Sequence, residues 1–389
     1  MMRRKVYLLI TYALILLLLT GCWDRKEIND IAILQVSAFD LMPDTGLYRG
    51  YVQIAIPKSI GAGQLTTSGG TQQKTYMPVV HYGEDIDDMT MKLERKLSRD
   101  ELPSHRRIFM VGETLARKDV APLMDLISRN PKNRLRTYIV IARDSDAKSL
   151  IETEYPLEAT KEEALREIIV RKMQVPSMLR TFYASSAATG IEPIAAAFSK
   201  DKDGKILLSS IALFYKTKLV GYVDDMQAVA LTSLLGRKAF GDMSINLPDQ
   251  QSKLSVHITN LIAKKRVVVT DEHPHFILDI TADGRITDNR AKIDPSDPAV
   301  MEQLDASFQE NINQVYQQLF HKLQKTYKTD SAGLGQSVYR KYPKLWKKIE
   351  KDWPELFTNV DVQIKVTANV SQIGGQGPPY YLREEEISQ

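Results

Sequence analysis

The chain has 389 residues, 43% of them hydrophobic and 26% charged, with a formal net charge of +4 and one cysteine. That apolar fraction can fill real cores, so disorder is not the default, and the length sets a prior of two or three domains. One cysteine excludes a disulfide scaffold, and the near-neutral balance gives no case for a nucleic-acid partner.

Arg3, Arg4 and Lys5 form a basic head, and Val6 to Leu19 follow without a charge. The apolar run is 14 residues, short of the ~20 that span a bilayer as a helix. Leu19, Thr20, Gly21 and Cys22 close it with small residues at which a peptidase can reach the backbone. The arrangement resembles a bacterial lipobox, whose cysteine takes a diacylglyceryl group before cleavage; two acyl chains suffice for stable anchoring. Residues 1–21 therefore read as a lipoprotein signal peptide, with Cys22 as the lipidated residue. Its removal discards three positive charges and takes the net charge from +4 to +1.

Ile31–Phe39 and Tyr48–Ile56 have strand composition around the turn Pro43-Asp44-Thr45-Gly46, which predicts a hairpin. Ser59–Lys74, rich in Gly, Thr, Ser and Gln, reads as an exposed loop. Tyr76–Val80 is a short strand. Ile86, Met89, Leu93 and Leu97 share a helical face. Arg107–Val111 is a strand, and Asp119 can cap a helix to about Arg129. Leu135–Ala142 is a strand, Asp144 or Ser145 can cap a helix to about Glu152, and Glu162–Met173 is a further helix. This β-α-β-α rhythm predicts parallel pairing. Thr181–Pro193 reads as a crossing between domains.

Lys205–Tyr215 and Leu219–Val223 predict a second hairpin, followed by a helix from about Asp225 to Leu235. Leu254–Ile262, Arg266–Thr270 and His275–Ile280 are strand candidates. The longest helix starts at Asp297 as cap with Pro298 in its first turn, and runs to about Tyr327. Leu304, Phe308, Ile312, Val315, Leu319, Leu323 and Tyr327 trace one stripe along it. Val360 to Val370 alternate strictly between apolar and polar residues, a strand with one buried face. The expected fold is α+β with two or three domains, the C-terminal one an antiparallel-type sheet packed by one long helix. The expected division is 22–195, a region of one or two domains, 196–374, and a mobile tail over 375–389.

A catalytic constellation does not emerge. The six histidines are scattered outside any HExxH frame, and His273-Pro274-His275 reads as a turn entry rather than a zinc site. GxSxG is missing, so a serine-hydrolase elbow cannot be argued. Ser145–Lys148 and Ser199–Lys202 match SxxK without the accompanying SDN or KTG. Neither a metal nor a cofactor is called for. Lys341, Lys344, Lys347, Lys348 and Lys351 surround Trp346 and Trp353, either a solvated face or one that touches anionic headgroups.

The segment Gly21-Cys22-Trp23-Asp24-Arg25-Lys26-Glu27-Ile28-Asn29-Asp30-Ile31-Ala32 resembles the start of the Ger(x)C family, the C-subunit lipoproteins of nutrient germinant receptors in endospore formers. Asp330-Ser331-Ala332-Gly333-Leu334-Gly335 is similar to that family's Asp-Phe-x-Gly-x-Gly segment, with Ser331 in place of the Phe. Tyr342 to Trp346, Trp353 and a final alternating strand follow, as in the family. The resemblance implies a three-domain α+β fold and a non-enzymatic subunit. It further implies a lipid anchor on the outer face of the spore inner membrane and two membrane-embedded partner subunits; it leaves open direct contact with a small nutrient. A solute-binding lipoprotein of a transporter, or an exported cell-wall enzyme, are the competing readings. The first would need a cleft between two similar halves, and the halves here differ.

Overall fold

A computed structural model describes residues 27–372, except 57–75, 154, 156–157, 159, 174–176, 247–252 and 291–292, together with residues 4, 5, 7 and 12. The fold is α+β, with two sheets. In chain order the first part comprises β1 (Ile31–Leu41), β2 (Tyr48–Ala55), β3 (Tyr76–Gly83), α1 (Ile86–Glu94), β4 (Asp100–Leu102) and β5 (Ile108–Gly112). Then come α2 (Glu113–Lys118), α3 (Ala121–Arg129), β6 (Tyr138–Ala142), α4 (Ala147–Glu152), α5 (Lys161–Ile168), α6 (Leu179–Ala187), β7 (Ile194–Lys200), β8 (Ile206–Tyr215) and β9 (Lys218–Asp224).

These strands make one nine-stranded sheet in the order β3-β2-β1-β5-β6-β7-β8-β9, with β4 beside the start of β1. The centre is parallel, β1 with β5, β5 with β6 and β6 with β7, while the flanking hairpins are antiparallel. β5 and β6 are buried at every residue, as expected of parallel strands covered on both faces. The predicted hairpins and the β-α rhythm are found as expected. Thr181–Pro193 is not a plain crossing: α6 occupies its first part, because Leu179 and Phe182 sink one face into the core. A division between 195 and 196 falls inside β7, and β8 and β9 extend the same sheet. The helix after β6 is capped by Asp146, whose carboxylate accepts from Ser149 N at 2.9 Å, rather than by Asp144 or Ser145. Asp144 instead turns the chain with φ 55°.

The second part comprises α7 (Asp225–Leu234), β10 (Ala239–Asn246), β11 (Lys253–Thr270), β12 (His273–Asn289), α8 (Pro298–His321), α9 (Leu334–Lys341), α10 (Pro343–Ile349), α11 (Trp353–Phe357) and β13 (Val362–Gln372). Asp297 caps α8, accepting from Ala299 N at 2.8 Å, and Leu304, Phe308, Ile312 and Leu319 lie fully buried against the four-stranded sheet β10-β11-β12-β13. Val315 is only partly covered, and Tyr316 is buried in its place. β13 joins parallel to β12, unlike the other pairs, since α8 to α11 return the chain to the same end of the sheet. β11 is one strand where two were predicted. A bulge between Ile258 and Asn260 shifts its phase, so the buried positions pass from Val256 and Ile258 to Leu261 and Val267. The core of this part is continuous with Ile194, Ile211, Leu213 and Val223 of the first sheet.

Candidate functional site

The sequence-predicted lipidation site, Leu19, Thr20, Gly21 and Cys22, lies outside the described residues, as do the 59–74 loop and the 375–389 tail. The first continuous described residue, Glu27, stands five positions after Cys22, at the entry to β1.

Other sequence candidates are dispersed. His81 is buried on β3 with Gly50 packed against its ring, and burial pulls its pKa down to about 4. His273 Nδ1 lies 2.7 Å from the Asp271 carbonyl, and His275 Nε2 lies 3.4 Å from Thr270 Oγ1. Both simply follow the tight β11–β12 turn, where Asp271 and Glu272 adopt φ of 49° and 62°. Among the described residues, no group of three or more His, Cys, Asp or Glu is placed to hold a metal. Neither SxxK match makes a Ser–Lys pair. Lys148 Nζ pairs with Glu152 at 2.6 Å, while Ser145 Oγ donates to the Asp146 carbonyl.

The Asp330–Gly335 segment does come together, at the junction of the two parts. Asp330 is buried, and its carboxylate accepts from Leu334 N at 2.9 Å, Gly335 N at 2.8 Å and Trp353 Nε1 at 3.0 Å. Burial pushes this carboxyl up from its ordinary value; the three donors and the charge of Lys265 pull against that. The Lys265 ammonium, itself pulled down by burial, donates to the Ala332 carbonyl.

Gly333 takes φ +68°, which lets the segment turn into α9. Gly335 is needed for close approach: a Cβ there would stand 2.5 Å from Trp353 Nε1 and 2.6 Å from the Gly190 Cα. Gln336 N donates to the Gly190 carbonyl at 2.7 Å, and Trp346 Nε1 to Thr189 Oγ1 at 3.1 Å. Trp346 and Trp353 are thus core residues, 1% and 3% exposed, with ring centroids 5.4 Å apart. They are walled off from the lysines around them in sequence, and the tryptophans cannot meet a lipid surface.

Ser331 Oγ is fully buried and has no hydrogen-bond partner among the described residues. Beside it is a cavity of about 40 Å³ lined by Thr181, Phe182, Ser185, Glu192, Leu235 and Ser331, among others, room for a water or two. Glu192 is pushed up to about 7 by burial, although its carboxylate accepts from Lys216 N at 2.6 Å.

Sequence reasoning missed a second buried carboxylate. Asp40, at the end of β1, accepts from Ala147 N at 2.6 Å and from Arg49 Nη2 at 2.7 Å. Its signal was available: once the first hairpin is in register, Asp40 faces Arg49 across the strands. Both carboxylates hold chain segments together, within an α+β fold built on two sheets.

Comparisons with known proteins narrow that fold to a family. A family model described as "Spore germination protein N-terminal domain" matches residues 24–200, and one described as "Spore germination B3/ GerAC like, C-terminal" matches residues 209–374. The chain belongs to the Ger(x)C family of spore germination proteins. The protein YfkR of Bacillus subtilis (strain 168) is 29% identical over 381 residues, which cover 96% of this chain and 98% of YfkR. Spore germination protein KC of the same organism is 22% identical, with 97% of this chain and 98% of that one covered. The crystal structure of the GerBC protein shares the fold, with a TM-score of 0.57 at 18% identity over 86% of this chain and 96% of that chain.

Proposed function

We propose that this chain is the lipid-anchored, non-enzymatic C-type subunit of a nutrient germinant receptor. In this reading Cys22 carries the lipid on the outer face of the spore inner membrane, and the folded body assembles with two membrane-embedded subunits to start germination. The observation that carries it is the match of both family domains in order, along nearly the whole chain, to relatives of the same length named for spore germination. Two features support the anchor: a 14-residue apolar run followed by the chain's only cysteine, and no helix among the described residues long and apolar enough to cross a membrane.

Two measurements test the reading. Cys22→Ala should release a folded protein from membranes washed at about 1 M salt, where electrostatic attachment is screened, in cells lacking any partner; sedimentation with the washed membranes there sinks the anchor. Deletion of the protein should abolish the response to one nutrient class and leave non-nutrient triggers intact. Normal nutrient germination in a strain with no paralogous receptor sinks the receptor role.

A further inference from the structure

Two basic clusters lie at one end of the first sheet. The registers Val36 with Ile108, Ile108 with Tyr138 and Val140 with Ala196 put the starts of β5, β6 and β7 level with one another. All four central strands run the same way, so the chain enters β1 from that same end, at Glu27 to Ile31. β1 and β7 are separated by three strand spacings, ~14 Å. The loop before β6 contributes Arg134 and Arg136, and Arg180, whose amide donates to the Leu135 carbonyl at 2.9 Å, stands beside them. The turn before β7, Thr189-Gly190, carries α9 and α10, and with them Lys344, Lys347 and Lys351. All six of these side chains are exposed.

The charge is local. Residues 339–353 hold six Lys or Arg against two acids, and 130–136 hold three against none, in a chain whose net charge is only +4. The neighbouring Lys348 pairs with Glu272. Two apolar side chains stand out of the same clusters, Tyr339 at 55% exposed and Leu135 at 45%. Lysines and arginines that flank an exposed aromatic and an exposed leucine suit an interface with an anionic outer layer and an apolar interior.

We infer that this end of the molecule, from the loop before β6 to α10, lies on a bilayer surface rich in anionic phospholipid. The orientation rests on the proposed anchor: Glu27 follows Cys22 by five positions, a reach of at most ~17 Å, so a lipid on Cys22 keeps the start of β1 near the headgroups. The basic clusters share that end and contact the headgroup phosphates, while the β7–β8 turn at the opposite end points away. The single acyl-bearing residue thus gains a second, electrostatic attachment that fixes which way the body faces.

Lysine acylation read by mass spectrometry tests this on the full, processed chain. The chain is mixed with vesicles of phosphatidylcholine containing phosphatidylglycerol, with vesicles of phosphatidylcholine alone, or with inorganic phosphate at matched concentration. Lys344, Lys347 and Lys351 should react roughly threefold or more slowly with the phosphatidylglycerol vesicles only. Protection should vanish at about 1 M salt, where the Debye length is ~3 Å. Lys202 and Lys205, on the β7–β8 turn, should react alike throughout. Equal rates for the three patch lysines in both vesicle types, or equal protection by phosphate alone, overturn the inference. The mass of the Cys22 peptide reports the anchor separately. An unlipidated chain that still shows the footprint refutes the anchor and keeps the surface; a lipidated chain without the footprint does the reverse.

Discussion

At the scale of single residues, the junction depends on Asp330. Its two carboxylate oxygens satisfy two backbone N–H groups and an indole N–H, all buried. Asp330→Ala leaves three donors unpaired and should cost about 3 kcal/mol or more in chemical denaturation. Ser331→Ala should behave in the opposite sense: it removes a buried hydroxyl that has no partner among the described residues, and should be neutral or stabilising by about 1 kcal/mol. Glu192 adds a pH dependence. Its folded pKa of about 7 lies above the unfolded value of ~4.3, so the fold favours the neutral acid. That contribution is complete below ~4.3 and is lost as pH rises through about 7. Glu192→Gln should therefore flatten the loss of stability between these limits, as read from melting temperatures across pH; an unchanged slope would refute it. The sequence made Asp330 conspicuous through its motif, but not its role. The donors it satisfies come from residues 334, 335 and 353, and only the turn at Gly333 brings them to one point. Asp40 was less visible still, because two of its partners sit more than a hundred residues away, at 147 and 148.

Among elements, α8 is the most legible in sequence and the most testable. Its stripe of threes and fours is the buried face, and its cap is Asp297 as expected. Ile312→Asp would place an unpaired charge against the sheet and should cost about 3 kcal/mol or more; an unchanged melting temperature would mean that the face is exposed. β13 was equally legible, since strict alternation survives in a strand with no bulge from Val362, opposite Phe276, to Val370, opposite Gly284. β11 was not. One extra residue, between Ile258 and Asn260, moves the buried set from even to odd positions, and a period-2 pattern read along the sequence breaks where the phase changes. The hairpin of β8 and β9 was readable from its own composition and turn. Its membership in the first sheet rests on the β7–β8 register, which no local pattern carries.

For the whole molecule, the two parts differ in how early they can close. The first sheet is complete once β9 ends at Asp224. The second needs β13, which pairs with β12 from Val362 to Gln372 and follows β9 by more than a hundred residues. A chain stopped after Asp361 should keep slow hydrogen exchange in β5 and β6 and lose it in β11, β12 and α8. Protection retained in α8 would show that the second core forms without its last strand. Because ribosomes deliver the chain from its N-terminus, the apolar face of α8 waits unpartnered on one side until β13 has emerged. The protein therefore passes through a stage of synthesis as a finished half joined to an open one, and its hazard of misassembly is concentrated in the interval between the emergence of β9 and that of β13.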